Sequence, residues 1–367
     1  MISLATLQET AALSPSAQAF FQKKAQGDFA ALVRTGEILR SECRFLAAST
    51  FFEAAFEINS LSCDILLAKI KARILGGAVV AKEDFDTLRA LSWDYHRYAE
   101  AFDLAQRTNA SPAEILAVLG SAFEAFSTGS EVDWLFLQQF RALPTDAAER
   151  STPSKNNIPH SIFMYWDKDP PSEISENIQY HRNISGFDVN IYDKNRGEAF
   201  LYQYYGNDVR RLFLRSKHPA EESDFLRYHL IYAYGGYYID VDDQMICAQR
   251  IVDLSNDTEG IYILSETGPV ENAMFGSIAR SSIMEECIRI LAYNCLMYPD
   301  LSVWLKTGPG VLTRALVRNF YRAASSNSPK PNVTVLDPTF YAKLLRAIDV
   351  SYRNDLRDWR VFEASQK

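Results

Sequence analysis

Apolar residues recur at spacings of three and four through the first 145 residues, as in Phe29, Leu32, Val33 and Leu39, or Phe51, Phe52, Ala55 and Phe56. Positions at that spacing collect on one face of a helix, so this part is predicted to be nearly all α-helix. Proline is almost absent from it, with Pro15, Pro112 and Pro144 near expected boundaries. Asp28 after Gly27, Ser60 after Asn59 and Ser111 before Pro112 are expected helix starts. Each offers a side-chain oxygen to the open amides of a first turn.

The helix pair from Gly27 to Asn59, with small residues at Ala47, Ala48 and Ala55, resembles a single tetratricopeptide-type repeat. A plain helical cap or bundle fits as well. Between Asp146 and Asn157 the sequence turns polar around Pro153 and reads as a linker. Short β-like runs then alternate with helical stretches. Ile162 to Trp166 and Val189 to Tyr192 are expected strands, with a helix near Glu173 to His181 between them. Strand, helix, strand within about 30 residues implies a parallel α/β sheet. Such sheets bind ligands at the carboxyl ends of their strands, where Trp166 and Asp193 fall. The expected organisation is an all-α domain over 1–145, a linker over 146–157 and an α/β domain over 158–367.

A length of 367 residues suits two domains, and 47% hydrophobic with 23% charged residues is ordinary for a soluble globular chain. The formal net charge of -8 argues against nucleic acid as a partner, since phosphate backbones call for clustered Lys and Arg. An acidic protein can still take a diphosphate when a divalent cation supplies positive charge locally. Five cysteines, an odd number without a CxxC pair, read as free thiols in a reducing compartment. The amino terminus has no basic region followed by an apolar run, and no window nears the roughly 20 apolar residues that span a bilayer. A cytoplasmic chain is expected, peripheral to a membrane or secreted without a cleaved signal being the alternatives.

The chemistry concentrates between Ser223 and Asp243. Ser223 is an expected N-cap, Asp224 favours the positive end of the helix dipole, and Gly235 is a helix stop. Asp224 and Arg227, three apart, share a helix face; their plain reading is a solvated ion pair. After the glycines, Tyr237, Ile239 and Val241 are expected on one side of a strand and Tyr238, Asp240 and Asp242 on the other. Two carboxylates two residues apart on a strand repel unless something compensates them. Mg²⁺ or Mn²⁺ accepts such oxygen ligands and leaves positions open for substrate phosphates.

Ser-Asp-x-x-Arg, about seven residues, then Gly-Gly-x-Tyr-x-Asp-x-Asp resembles the signature of the DXD sugar-binding glycosyltransferases. These include glycosyltransferase family 32 and the catalytic domains of the clostridial glucosylating toxins. Ser223, Asp224, Arg227, Gly235, Gly236, Tyr238, Asp240 and Asp242 carry the resemblance, which extends over residues 158 to 345. Ile158-Pro159 leading to Trp166 resembles the family's opening strand, Asn272-Ala273-Met274 a substrate-proximal segment, and Thr307-Gly308-Pro309 its downstream Gly-Pro element. Many members carry a His three residues before the opening Trp, where this chain has Phe163.

The resemblance implies a GT-A fold (a Rossmann-like nucleotide-sugar-binding domain), a UDP-sugar donor, Mn²⁺ or Mg²⁺, and retention of anomeric configuration. Asp242 would bind the metal, and Asp240 would contact the sugar or ribose and help position the metal. Asp224 and Arg227 would hold donor-sugar hydroxyls, Tyr238 and Asn272 would line the same pocket, Ser223 would reach the nucleoside and Trp166 would stack on the base. Asp240, Asp242, Asp224 and Arg227 are the implied catalytic set. No histidine follows the DXD motif, so Asp337 and Asp358 are the candidates for a further metal ligand, with Trp359 placed to close over the diphosphate. His229 is expected in the core. The acceptor stays open among a glycan, a lipid-linked sugar and a protein. The competing readings are a helical interaction module carrying an inactive sugar-nucleotide domain, and a metal phosphohydrolase.

Overall fold

The computed structural model describes residues 2–23, 28–108, 110–125, 133, 137, 158–266, 268–326, 328–353 and 355–365. They divide into two compact units, Met1–Phe126 and Ser127–Lys367. The expected linker, 146–157, lies outside the described residues.

The first unit is helical: α1 Leu4–Ala11, α2 Pro15–Lys23, α3 Phe29–Ser41, α4 Phe45–Ile58, α5 Cys63–Leu75, α6 Lys82–Leu91, α7 Trp93–Arg107, α8 Pro112–Leu119 and α9 Ala122–Ala125. Asp28 caps α3, and Ser111 caps α8 with Glu114 completing a reciprocal capping box. The expected start at Ser60 moves to Ser62, which caps α5. Asn59 is the reason: its side-chain oxygen accepts from Leu61 N–H and holds those residues in a turn. A Cβ at Gly36 on α3 would lie 2.7 Å from the Phe52 ring on α4. That closeness buries Ala48, Phe51 and Ala55 completely.

The second unit is α/β. Its elements are β1 Ser161–Tyr165, α10 Ser172–Arg182, β2 Asp188–Tyr192, α11 Lys194–Tyr205, α12 Asn207–Phe213, α13 Pro219–Tyr234, β3 Gly236–Ile239, β4 Asp243–Met245, α14 Ala248–Leu254, β5 Gly260–Ile263, β6 Met274–Ser277, α15 Ser282–Met297, α16 Val303–Lys306, α17 Pro309–Ser326, β7 Val333–Leu336, α18 Tyr341–Leu344, β8 Leu345–Ala347 and α19 Trp359–Ser365. Six strands form one sheet in the order β2-β1-β3-β6-β5-β7, and β4 pairs with β8 in a smaller one. β6 runs antiparallel to β3 and β5, and the other pairings in the large sheet are parallel. The two strands and helix expected between Ile162 and Tyr192 are β1, β2 and α10. The fold class is therefore the expected α/β one, a mixed sheet with helices, preceded by a helical region. Helices cover both faces, so β3 is apolar throughout and Tyr237, Tyr238 and Ile239 are all buried.

All five cysteines are free thiols. Among the described residues no helix is long and apolar enough to cross a membrane.

α13 begins earlier than expected. His218, not Ser223, is the N-cap, its Nδ1 accepting from Ala220 N–H, and Pro219 opens the helix. Proline presets the backbone angle of a first turn and needs no amide partner there. Ser223 and Asp224 therefore sit inside the helix. Gly235 does end it, at φ 67°. Gly236 follows at φ 113°, and a Cβ there would lie 2.5 Å from Ser161 O on β1. Gly236→Ala is expected to destabilise the fold by about 1–3 kcal/mol, combining a left-handed backbone with that clash. Denaturant unfolding measures it, and a midpoint equal to that of the unsubstituted protein would refute the strand contact.

Candidate active site

A cavity of about 650 Å³ opens beyond the carboxyl ends of β1 and β3. The local sequence explains its floor. α13 packs against the sheet, stops at Gly235, and β3 returns beneath it, so Arg227 on the helix and Asp240 at the strand end meet across the turn. Arg227 Nη2 lies 3.0 Å from Asp240 Oδ1 and 3.0 Å from Asp224 Oδ1. The same Nη2 also reaches Ser223 Oγ at 2.9 Å, and Nη1 donates to the Asn272 carbonyl. The guanidinium rests on the Tyr238 ring, 4.2 Å from its centroid. Tyr238 OH in turn shares a 2.6 Å hydrogen bond with Ser223 Oγ.

Asp224 and Arg227 are thus not the solvated pair of the plain reading; both are almost wholly buried. Asp224 accepts from Asn272 Nδ2 at 2.8 Å and from Thr307 Oγ1 at 2.9 Å besides Arg227. Burial still pushes its carboxyl above the usual range, with Arg227 opposing.

β3 ends at Ile239, and Val241 and Asp242 form a turn rather than more strand. This corrects the expected alternation through residue 242. The turn forms because Asp240 and Asp243 close it, Asp243 N–H donating to Asp240 O at 3.0 Å. It swings Asp243 to the side of Asp240 and Asp242, and carboxylate oxygens of all three lie within 4.8 Å of one another. Burial pushes the Asp240 carboxyl up to about 8; Arg227 opposes the rise while Asp242 and Asp243 add to it. Burial likewise takes Asp243 up to about 6, against the hydrogen bond from Tyr341 OH at 2.6 Å. Three carboxylates crowd a site where Arg227 is fully engaged, and Arg353 approaches Asp242 at 3.6 Å. The donor set is all oxygen and short of positive charge, which fits a hard divalent cation.

Trp166, Ser223, Asp224, Arg227, Asp240, Asp242 and Asn272 all line the cavity. Tyr238 does not; it is buried behind the wall and supports Arg227 from below. Asp193, at the end of β2, caps α11 through Arg196 N–H instead of facing the cavity. Asp337 caps Thr339 and is not among the lining residues, whereas Asp358 and Trp359 are. His229 is a buried, neutral core residue: burial lowers it to about 4, and it stacks on Phe225.

Residues 155–261 match the family model described as a glycosyltransferase sugar-binding region containing a DXD motif. Over those residues the chain is similar to DXD-motif glycosyltransferases. It is 31% identical over 100 residues to an uncharacterized glycosyltransferase of Acanthamoeba polyphaga mimivirus, which covers 26% of this chain and 39% of that protein. It is 31% identical over 131 residues to a mannosyl phosphorylinositol ceramide synthase of Saccharomyces cerevisiae, covering 35% of this chain and 34% of that one. The chain therefore spans well under half the length of these curated relatives. Among solved structures, the PaToxG glycosyltransferase aligns with a TM-score of 0.32 and 15% identity, over 57% of this chain and 87% of that one.

In this second unit the residues that sequence reasoning missed are Asp243, Glu271, Trp304, Tyr341, Tyr352 and Arg353, all on the cavity wall. Asp243 stands next to the motif, but strand alternation carried one residue further puts it on the opposite face. Glu271 and Trp304 flank the Asn272 and Thr307 segments of the resemblance, and Tyr341, Tyr352 and Arg353 arrive from segments with no signature. Tyr352 meets Trp166 with ring centroids 5.4 Å apart.

Two stability predictions follow from the charge arrangement. Arg227→Met would leave the buried Asp224 and Asp240 without their cationic donor and is expected to cost about 3–5 kcal/mol, measured by denaturant unfolding. A loss under about 1 kcal/mol would contradict the buried pair, since that is the scale of a surface one. In the metal-free protein Asp240 keeps its proton up to about pH 8, whereas an unfolded carboxyl releases it near pH 4, about its reference value. The folded state then holds the extra proton, so stability falls as pH rises from about 4 to about 8. Asp240→Asn should make that decline shallower in chelator-treated protein melted across this range, and an unaltered slope would disprove the assignment.

Proposed function

We propose that this protein transfers a hexosyl group from a nucleotide-sugar donor, UDP-linked, to an acceptor, with retention of anomeric configuration. The observation that carries the reading is the Asp224–Arg227–Asp240 network opening into the cavity beside a three-carboxylate cluster. Asp240, Asp242 and Asp243 would hold Mn²⁺ or Mg²⁺, which when bound supplies positive charge for a departing diphosphate.

The remaining roles belong to side chains. Asp224, held by Asn272 and Thr307, presents a fixed carboxylate to donor-sugar hydroxyls. Arg227 fixes Asp224 and Asp240 relative to one another, and so orients both toward the sugar. Trp166 offers its indole to the base, Ser223 stands by the nucleoside, and Asn272 borders the sugar pocket. Locating a donor in this way supplies much of the rate of a group transfer. Trp359 and Asp358 line the cavity, where a closing side chain would exclude water. The acceptor classes in view are a glycan, a lipid-linked sugar and a protein; the yeast relative's name contains a mannosyl group and a ceramide, so a lipid acceptor and a mannosyl donor belong in the trial.

Purified protein with Mn²⁺ and a panel of UDP- and GDP-sugars, scored for released nucleotide, tests the reading. A UDP-sugar is expected to turn over, slowly to water and faster with acceptor. Asp242→Asn should lower that turnover by about a hundredfold or more, the scale on which losing one stabiliser of developing charge acts, with an unchanged melting temperature. Release of inorganic phosphate instead of nucleotide, or full turnover in the variant, would overturn it.

A further inference from the structure

The acidic turn is gripped from the side away from the cavity. Asn177, Tyr180 and His181 lie three and four apart on α10 and so share one face of the helix. Asn177 Nδ2 donates to Val241 O at 2.9 Å and to Asp243 O at 2.8 Å. Tyr180 OH donates to Met245 O at 3.0 Å, and Met245 N–H donates to His181 Nε2 at 3.1 Å. All four bonds fall on alternate residues, 241, 243 and 245. The intervening residues face the other way, where Ile348 N–H donates to Asp242 O and Ile246 N–H to Leu344 O, both at 2.9 Å. β4 therefore has β8 on one edge and the side chains of a helix on the other.

The donors and acceptors are fully assigned. Because Met245 N–H must donate, His181 Nε2 carries no proton; Nδ1–H then donates to Asn177 O at 2.9 Å. Burial holds this imidazole below its usual range, which keeps it neutral. Asn177 spends both amide hydrogens on the turn, and its oxygen accepts from Gln244 Nε2 at 3.3 Å. Asn177 is 2% exposed and His181 fully buried, so water does not replace these contacts.

We propose that Asn177, Tyr180 and His181 are positioning residues for the carboxylate cluster, clamping the backbone of residues 241, 243 and 245 so that Asp240, Asp242 and Asp243 stay within reach of one divalent cation. The physical reason is repulsion: like charges left on a free turn spread apart, and a cation that must gather them loses affinity. None of the three residues touches the cation or the donor. The inference rests on the reading that this cluster takes a cation.

Titration of the full chain with Mn²⁺ alone, by calorimetry well below the melting temperature, tests it, with a thermal melt of every variant. Asn177→Leu and His181→Leu are expected to raise the Mn²⁺ Kd about tenfold or more, as loss of the groups that orient metal ligands does. His181→Gln, whose side-chain oxygen again accepts Met245 N–H, should bind close to the unsubstituted protein. Tyr180→Phe, a change at a part-exposed ring, should weaken binding less than either Leu variant. A role in stability alone would lower melting temperatures and leave the Kd of the folded variants where it was; that result overturns the proposal, as does His181→Gln behaving like His181→Leu. Should Asn177→Leu fail to fold, the His181 and Tyr180 variants decide. If the unsubstituted protein takes up no manganese, the metal reading falls and this one with it. Uptake by the unsubstituted protein together with unaffected variants sinks the positioning role alone.

Discussion

A guanidinium taken out of water has to be surrounded by acceptors, and Arg227 imposes that condition on everything near it. It is 3% exposed and engages Asp224, Asp240, Ser223 and the Asn272 carbonyl while lying on Tyr238. Desolvating a charge costs several kcal/mol, recovered only when geometry is good and every donor is used. The segments bringing those acceptors are α13, the end of β3 and the run into β6, so the network also sets how these elements meet. Asn272 and Thr307 complete it by satisfying Asp224. The part of the motif that looks like recognition chemistry is at the same time the joint between helix and sheet.

That joint balances charge unevenly. Arg227 answers Asp224 and Asp240, which leaves Asp242 and Asp243 to Arg353 and Tyr341 at the cavity wall. Burial first, and the neighbouring acids after it, raise the carboxyls of Asp240 and Asp243. Tyrosine adds no charge, and Arg353 is half exposed, where solvent weakens an ion pair. The site is built with room for positive charge, on a backbone whose other edge is fastened by neutral donors and acceptors from α10. Neutral bonds suit that task, because they hold the turn without cancelling the charge the carboxylates present.

Much of this was legible in the sequence because the relevant signals are local. Helical periodicity in the first unit, the caps at Asp28 and Ser111, the strand–helix–strand pattern from Ile162 to Tyr192 and the stop at Gly235 each depend on residues a few positions apart. The motif residues converge because α13, a two-glycine turn and β3 are consecutive, so chain continuity alone brings Asp224 and Arg227 to Asp240. Local reading erred where two local signals competed. Ser223 has the chemistry of a cap, but Pro219 had already begun the helix. Asp193 stands at a strand end, yet the amides of α11 claim its carboxylate.

The sequence by itself determined the fold class, the helical first part and the identity of the acidic and basic residues around the motif. Only the tertiary structure decided that Asp224 and Arg227 are buried, that Tyr238 supports from behind, and that Asp243 joins Asp240 and Asp242. It also decided that Tyr341, Tyr352 and Arg353 arrive from the far end of the chain, and that α10 fastens the turn from 64 residues away in the case of His181 and Met245. The division has one cause. Periodicity and capping are written in spacings of two to four residues, whereas burial and the choice of hydrogen-bond partner depend on which distant segments pack together.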